Sequence, residues 1–248
     1  MKRLAIDIGN TNISFGIFSG EKGGRPQRTF NIATKKYTSS KLKTALAKNM
    51  IKNIIICSVV PEATRRLKKD LKNIFKINPS VVGRNIKVPI DNLYRKPAQV
   101  GQDRLVNAYA GVIFYGAPLI VVDFGTAITF DVISRNKEYL GGNIFPGLNI
   151  SLDALYERTA LLPKIKLEKP KELIGGDTKQ SILSGIIYGV AALTDNMCER
   201  VKKIIGKQAK VLATGGSADL IRKYCRQIDM IDQSLTLKGL NALLGNPS

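Results

Sequence analysis

Leu4-Ala5-Ile6-Asp7-Ile8-Gly9-Asn10-Thr11 and Ile120-Val121-Val122-Asp123-Phe124-Gly125-Thr126 carry one pattern twice: an apolar strand, an aspartate, one apolar residue, a glycine and, within two positions, a threonine. Each runs into a second apolar stretch, Ile13 to Phe18 in the first copy and Ala127 to Ile133 in the second. Short runs rich in branched residues, punctuated by glycine with asparagine or threonine, read as a strand, a tight turn and a returning strand. The two aspartates stand close to half of the 248-residue chain apart. The spacing therefore predicts a duplication: an α/β protein of two halves, residues 1–115 and 116–248, each opening on the same hairpin, with a cleft between them.

Working outward, the first half should continue with a third strand at about Arg28 to Ala33, a basic helix, and a strand Ile54-Ile55-Ile56-Cys57. A helix follows from Pro61, where the fixed φ of proline suits a first turn. Pro79, Pro89 and Pro97 mark a turn-rich stretch before an amphipathic helix from Gln102 to about Tyr115. In the second half Leu212-Ala213-Thr214-Gly215-Gly216-Ser217 reads as a strand and glycine turn opening a helix near Ala218. Small residues there let an adenine or ribose lie against the backbone, although the same letters also make a simple tight turn.

Composition narrows the chemistry. The chain has no histidine, which excludes Ser-His, Cys-His and His-metal mechanisms and leaves acid–base work to Asp, Glu, Lys, Tyr or Cys. Three separated cysteines, Cys57, Cys198 and Cys225, build neither a disulfide framework nor a paired zinc module, and a reducing cytoplasm is expected. Asp7 interrupts the N-terminal apolar run before it reaches signal length, and no uninterrupted run approaches the ~20 apolar residues of a span, so no membrane is expected. The net charge is +20, from 39 Lys and Arg against 19 Asp and Glu. Between Lys35 and Lys76 twelve basic residues face only Glu62 and Asp70, but they alternate with Leu42, Leu46, Leu67 and Leu71 at helical spacing. That is how the wet faces of amphipathic helices look, and no aromatic residues interleave as a single-strand stacking platform would need. Nucleic acid is accordingly not the expected partner.

A carboxylate at a strand end, a glycine and short polar side chains make a turn that can cradle phosphate oxygens beside a hard cation such as Mg²⁺. Neither copy is a GxxxxGK[ST] loop, and no GxGxxG fingerprint opens the chain. Two such hairpins suggest a nucleotide clamp with both aspartates on metal.

The motifs in their order resemble the type III pantothenate kinases of the acetate and sugar kinase, heat-shock ATPase and actin superfamily. Beyond the two hairpins, the resemblance rests on Gly101-Gln102-Asp103-Arg104, Gly141-Gly142-Asn143-Ile144-Phe145-Pro146-Gly147, Thr159-Ala160-Leu161-Leu162-Pro163, Gly176-Asp177-Thr178, Ser184-Gly185 and Thr214-Gly215-Gly216. It implies duplicated actin-like (ribonuclease H-like) halves, with mixed sheets flanked by helices and a nucleotide cleft. The implied reaction is ATP-dependent phosphorylation of the terminal hydroxyl of pantothenate. By the same resemblance Asp7, Ile8, Gly9, Asn10, Thr11, Asn12, Ile13 and Ser14 form the first phosphate loop, with Asp7 helping to place Mg²⁺. Thr126, Gly215 and Gly216 contact ATP, and Asp123 holds a monovalent cation, K⁺ or NH₄⁺, in place of a second magnesium. Asp103 is the implied general base, and Tyr94, Gly101, Gln102, Arg104 and Thr178 join it around pantothenate.

An aspartate that accepts the proton of an attacking hydroxyl is the arrangement protein kinases use, and a guanidinium suits a carboxylate-bearing acceptor through its planar fork. The same two letters also describe an ordinary helix start. Ile128 departs from the family, which usually carries a threonine there, and the charge of +20 is not a family hallmark. A homodimer is the implied assembly, with the Gly141 to Gly147 segment and the following helix, about Leu148 to Arg158, framing the acceptor site and the dimer contact. Two other readings stand beside the kinase. One is a kinase-like accessory regulator of transcription without catalysis, and the other is a sugar or acetate kinase, which Gly-x-Asp-Arg disfavours.

Overall fold

The hairpin of the first half is β1 (Lys2–Ile8) and β2 (Asn12–Ser19), paired antiparallel with Asp7 opposite Ser14 and Ile8 opposite Ile13. The computed structural model describes residues 2–19, 24–47 and 49–245. β3 (Arg28–Ala33) pairs antiparallel with β2, and α1 (Ser39–Leu46) then carries the chain back to β4 (Ile51–Ser58), which runs parallel to β1. α2 (Pro61–Phe75) returns it to the two-residue β5 (Ser80–Val81), parallel to β4. The helices are required because parallel neighbours cannot be joined by a tight turn. The sheet order is β3-β2-β1-β4-β5.

The second half repeats this course. β6 (Leu119–Phe124), β7 (Ala127–Ile133) and β8 (Tyr139–Pro146) form an antiparallel meander. α4 (Leu148–Arg158) and α5 (Thr178–Ile205) lead to β9 (Lys210–Thr214), parallel to β6, and α6 (Ala218–Ile221) leads to the short β10 (Met230–Ile231), parallel to β9. Read from its outer meander strand, this sheet is β8-β7-β6-β9-β10, the first sheet's order and directions again. The duplication proposed from the two aspartates is thus a duplication of topology.

The chain forms two units, one of residues up to Phe114 together with those from Ser234, the other Tyr115–Gln233. The break after residue 114 falls where the halves were expected to meet, but the C-terminal segment, expected in the second half, packs with the first. There α7 (Leu235–Gly245) lies against β1, β2 and β4. The reason is a sheet buried on both faces. Leu4, Ile6, Ile8, Ile54 and Ile56 share one core with Leu42 and Leu46 of α1 and Leu67 and Leu71 of α2. The opposite face carries Ala5, Gly16 and Ile55, and it needs its own cover. Leu237 packs on Gly16, while Gly239 brings α7 close to Val106 and Ala110 of α3 (Gln102–Tyr115).

In the second unit the core gathers Ile120, Val122, Phe124 and Phe130 of the sheet with Ile187, Ala191, Cys198 and Val201 of α5. Among the described residues α5 alone, with 28 residues and an 18-residue stretch of mean hydropathy 1.2, is long and apolar enough to cross a membrane. Its apolar side lies in this core, and Lys202, Lys203 and Arg200 crowd its last turns.

Candidate active site

In the first unit the site is set by register. Asp7 lies beside Ser14 on β2 and beside Cys57 on β4, so the three side chains form a row across one face, the face opposite Leu4, Ile6 and Ile8. Ile8 and Ile13 bury their side chains completely in the core, which leaves contact with a ligand to the loop between them. That loop is held by the Gly9 amide donating to the Asn12 carbonyl at 2.9 Å, and it exposes Asn10, Thr11 and Asn12.

Asp103 enters from α3. It stands in the first turn, where its Oδ1 accepts the Arg104 amide at 2.9 Å. A Cβ on Gly101 would collide with that oxygen, so the glycine leaves room for the carboxylate to fold back. The Cys57 thiol is pushed well above the ordinary range, by burial first and then by the charges of Asp7 and Asp103, so it stays neutral. Gln102 packs on Gly83, and the half-buried Tyr94 belongs to the loop before α3, its amide donating to Asn92 Oδ1 at 3.0 Å.

The second unit repeats the row, with Asp123 beside Thr129 on β7 and Thr214 on β9. Gly215 follows with φ +90, and a Cβ there would overlap Asp123 Oδ1 and come within 2.7 Å of the Phe124 backbone. The Ser217 amide donates to the Phe124 carbonyl at 3.1 Å, tying the glycine turn to the end of β6. Thr126 and Gly216 are exposed beside it. Ile128, where the family usually has a threonine, is 1% exposed and packs in the core cluster with Phe124 and Phe130. The hydroxyl on the Asp123 face belongs instead to its register partner Thr129. Thr178 also lies in this unit, at the start of α5 after the N-cap Asp177, whose carboxylate accepts the Gln180 amide at 2.8 Å.

The donors suit the expected ions. Around Asp7 they are carboxylate, amide and hydroxyl oxygens, and Mg²⁺ is commonly held by one or two carboxylates with phosphate oxygens and water. Among the described residues no three His, Cys, Asp or Glu side chains gather into a cage. Around Asp123 the glycines at 125 and 215 let the backbone approach the carboxylate closely, since a Cβ at either would press on Oδ1.

Two aspartate-bearing hairpins on twice-repeated sheets of this order define an actin-like fold. Similar solved structures include a protein from Campylobacter jejuni described as a Baf family transcriptional activator, 22% identical with a TM-score of 0.61, covering 97% of this chain and 96% of that one. The (R)-2-hydroxyglutaryl-CoA dehydratase component A of Acidaminococcus fermentans is 14% identical with a TM-score of 0.57, over 99% and 96%. The activator of the 2-hydroxyisocaproyl-CoA dehydratase of Clostridium difficile, solved with bound ADPNP, is 14% identical with a TM-score of 0.54, over 99% and 94%. These likenesses carry the fold. The chain belongs to the type III pantothenate kinase family, whose model matches residues 3–200. It is a kinase.

Proposed function

We propose that the chain transfers the γ-phosphoryl group of ATP to the terminal hydroxyl of pantothenate, giving 4'-phosphopantothenate and ADP, the entry step of coenzyme A synthesis. The observation that carries this reading is the type III pantothenate kinase model over residues 3–200, and Asp7 at a strand end beside the exposed Asn10 to Asn12 loop supports it. Asp103 takes the hydroxyl proton as the new P–O bond forms and the bond to the bridging oxygen of ADP breaks. Its anchored Oδ1 leaves Oδ2 for that proton. Arg104 holds the pantothenate carboxylate, with Tyr94, Gly101, Gln102 and Thr178 around the acceptor. The Asn10 to Asn12 loop takes phosphate oxygens, and Thr126, Gly215 and Gly216 take the nucleotide. Bound with ATP, Mg²⁺ neutralises phosphate charge, and Asp7 holds it; Asp123 holds K⁺ or NH₄⁺. Phosphoryl transfer depends mainly on alignment and charge neutralisation, so positioned groups carry nearly all the catalysis.

The reading includes a homodimer in a reducing cytoplasm. Leu161 and Ile174 are 92% and 84% exposed and Ile150 and Tyr156 are also open, beside a groove lined by Leu155, Leu162, Ile182 and Ile186. An exposed apolar surface of that kind suits a second copy. Nucleic acid is not part of the reading. The charge of +20 and the description of the C. jejuni neighbour favour a second one, an accessory regulator of transcription without catalysis.

The deciding experiment is phosphorylation of pantothenate by purified protein with Mg²⁺ and ATP, in K⁺, NH₄⁺ or Na⁺ as the only monovalent cation, alongside Asp103→Asn. Turnover that requires K⁺ or NH₄⁺ and collapses in the variant supports the kinase and both aspartate roles. A folded dimer without turnover in any of these salts overturns it, and submicromolar DNA binding that falls steeply with salt then supports the regulator.

A further inference from the structure

The third strand of each sheet ends against the loop of its own hairpin. In the second unit Gly147, the residue after β8, donates its amide to the Thr126 carbonyl at 3.1 Å. In the first unit the residue in the same register position is Thr34, just after β3, and its amide donates to the Thr11 carbonyl at 2.9 Å. Here the two halves diverge. A Cβ on Gly147 would collide with the Thr126 carbonyl oxygen, whereas Thr34 has a side chain, and its Oγ1 donates to the Gly9 carbonyl at 2.7 Å.

Two carbonyls of the phosphate loop are thus held by one residue, and the Asn12 carbonyl accepts the Gly9 amide at 2.9 Å. A loop that receives an anion must keep carbonyl oxygens, the negative ends of its dipoles, turned away from it. Thr34 is itself fixed by the turn it opens. Three residues on, Tyr37 is 5% exposed and donates its hydroxyl to Asp70 of α2 at 2.7 Å.

We propose that Thr34 is a positioning residue for the nucleotide: its hydroxyl holds the Gly9 carbonyl away from the phosphates. It acts through the loop without touching ATP. The inference rests on the reading that the Gly9 to Asn12 loop binds phosphate; in the second half Gly147, at the matching position, has no side chain to make this bond.

The test is calorimetric titration of the full chain with MgATP, together with steady-state kinetics, for Thr34→Val, which keeps shape and loses the hydroxyl, and Thr34→Ser, which keeps the hydroxyl. Thr34→Val should weaken MgATP binding and raise the ATP KM by about 5–30-fold, the size of one lost hydrogen bond that leaves a carbonyl unmatched. The melting temperature and the pantothenate KM should stay near wild type, and Thr34→Ser should restore ATP binding to within about two-fold. MgATP affinity unchanged in Thr34→Val, while Asp7→Asn weakens it, overturns the role of Thr34 and leaves the loop reading standing. Serine failing to rescue also overturns it. Wild-type protein that does not bind MgATP overturns the loop reading and this inference together.

Discussion

Gly215 and Gly216 are adjacent, and the structure gives alanine opposite effects at the two positions. Gly215 has φ +90, and its Cβ would overlap Asp123 Oδ1 and press on the Phe124 backbone at 2.7 Å; the carboxylate end can turn, but the backbone cannot swing aside. Positive φ costs a residue with a Cβ about 1–2 kcal/mol, and overpacking adds about 1–3 kcal/mol. Gly215→Ala should therefore destabilise the second unit by about 2–5 kcal/mol, a fall in melting temperature of roughly 4–20 °C for a chain of this size. At Gly216 a Cβ meets nothing within 4 Å and φ is not positive. Gly216→Ala should leave stability unchanged or raise it by about 0.4–1 kcal/mol through loss of unfolded-state freedom. The new methyl group lies where the nucleotide is proposed to approach, and it should weaken MgATP binding by about 5–150-fold if the crowding costs about 1–3 kcal/mol. Scanning calorimetry and MgATP titration on the two variants read both effects. Gly215→Ala melting like wild type would refute the steric reasoning, and Gly216→Ala binding MgATP normally would remove that glycine from the nucleotide site.

Asp103→Asn should lower turnover by about 10²–10⁴-fold with melting and MgATP affinity near wild type, and near-normal turnover would sink its role as base. Asp7→Asn should weaken ATP binding in a Mg²⁺-dependent way; titrations with and without Mg²⁺ that differ as they do in wild type would count against it. Alkaline stability has a defined sign. Burial, the largest cause, raises the Cys198 and Cys225 thiols from 9.0 to about 12, so between those pH values the unfolded chain releases protons that the folded unit keeps. Their contribution to stability is intact below pH 9.0 and is lost progressively toward about 12. Replacing both cysteines with alanine should flatten the fall of melting temperature over that window, and parallel curves for variant and wild type would contradict it.

Much of this fold was legible because the informative signals were local. Strand alternation around Asp7 and Asp123, Pro61 at a helix start and the stretch from Gln102 to Tyr115 all became elements where they were read. What escaped depended on distant partners or on patterns too short to see. α7 covers a sheet face built more than 175 residues earlier, so nothing near Leu235 indicates which half it joins. β5 and β10 have two residues each, below any periodicity. β8 contains Gly141, Gly142 and Asn143, residues depleted in strands, and it is tolerated as the outermost strand of its sheet. In the site, the aspartates and glycines stood out as motif letters. The pairing of Asp7 with Cys57, of Asp123 with Thr129, and of Thr34 with the loop emerged only from strand register.

Register also shows how duplicated halves came to differ in chemistry. Asp7 and Asp123 occupy equivalent strand ends, with Cys57 and Thr214 as their parallel neighbours. At the end of β4 the first half has Ser58, followed by Val59 and Val60, and Ser58 Oγ accepts hydrogen bonds from the Val60 amide at 3.0 Å and the Thr64 hydroxyl at 2.7 Å. After β9 the second half has Gly215 and Gly216, which bring bare backbone to the surface. At the end of the third strand the first half has the hydroxyl of Thr34 and the second has Gly147. The first copy has hydroxyl side chains that hold its loop, an arrangement that fits the role proposed for it at the reacting phosphate. The second has glycines at the matching positions, an arrangement that fits the role proposed for it against a flat nucleotide. One topology thus carries two different loop chemistries because the two hairpins are equivalent in backbone and free to differ in what each backbone position carries.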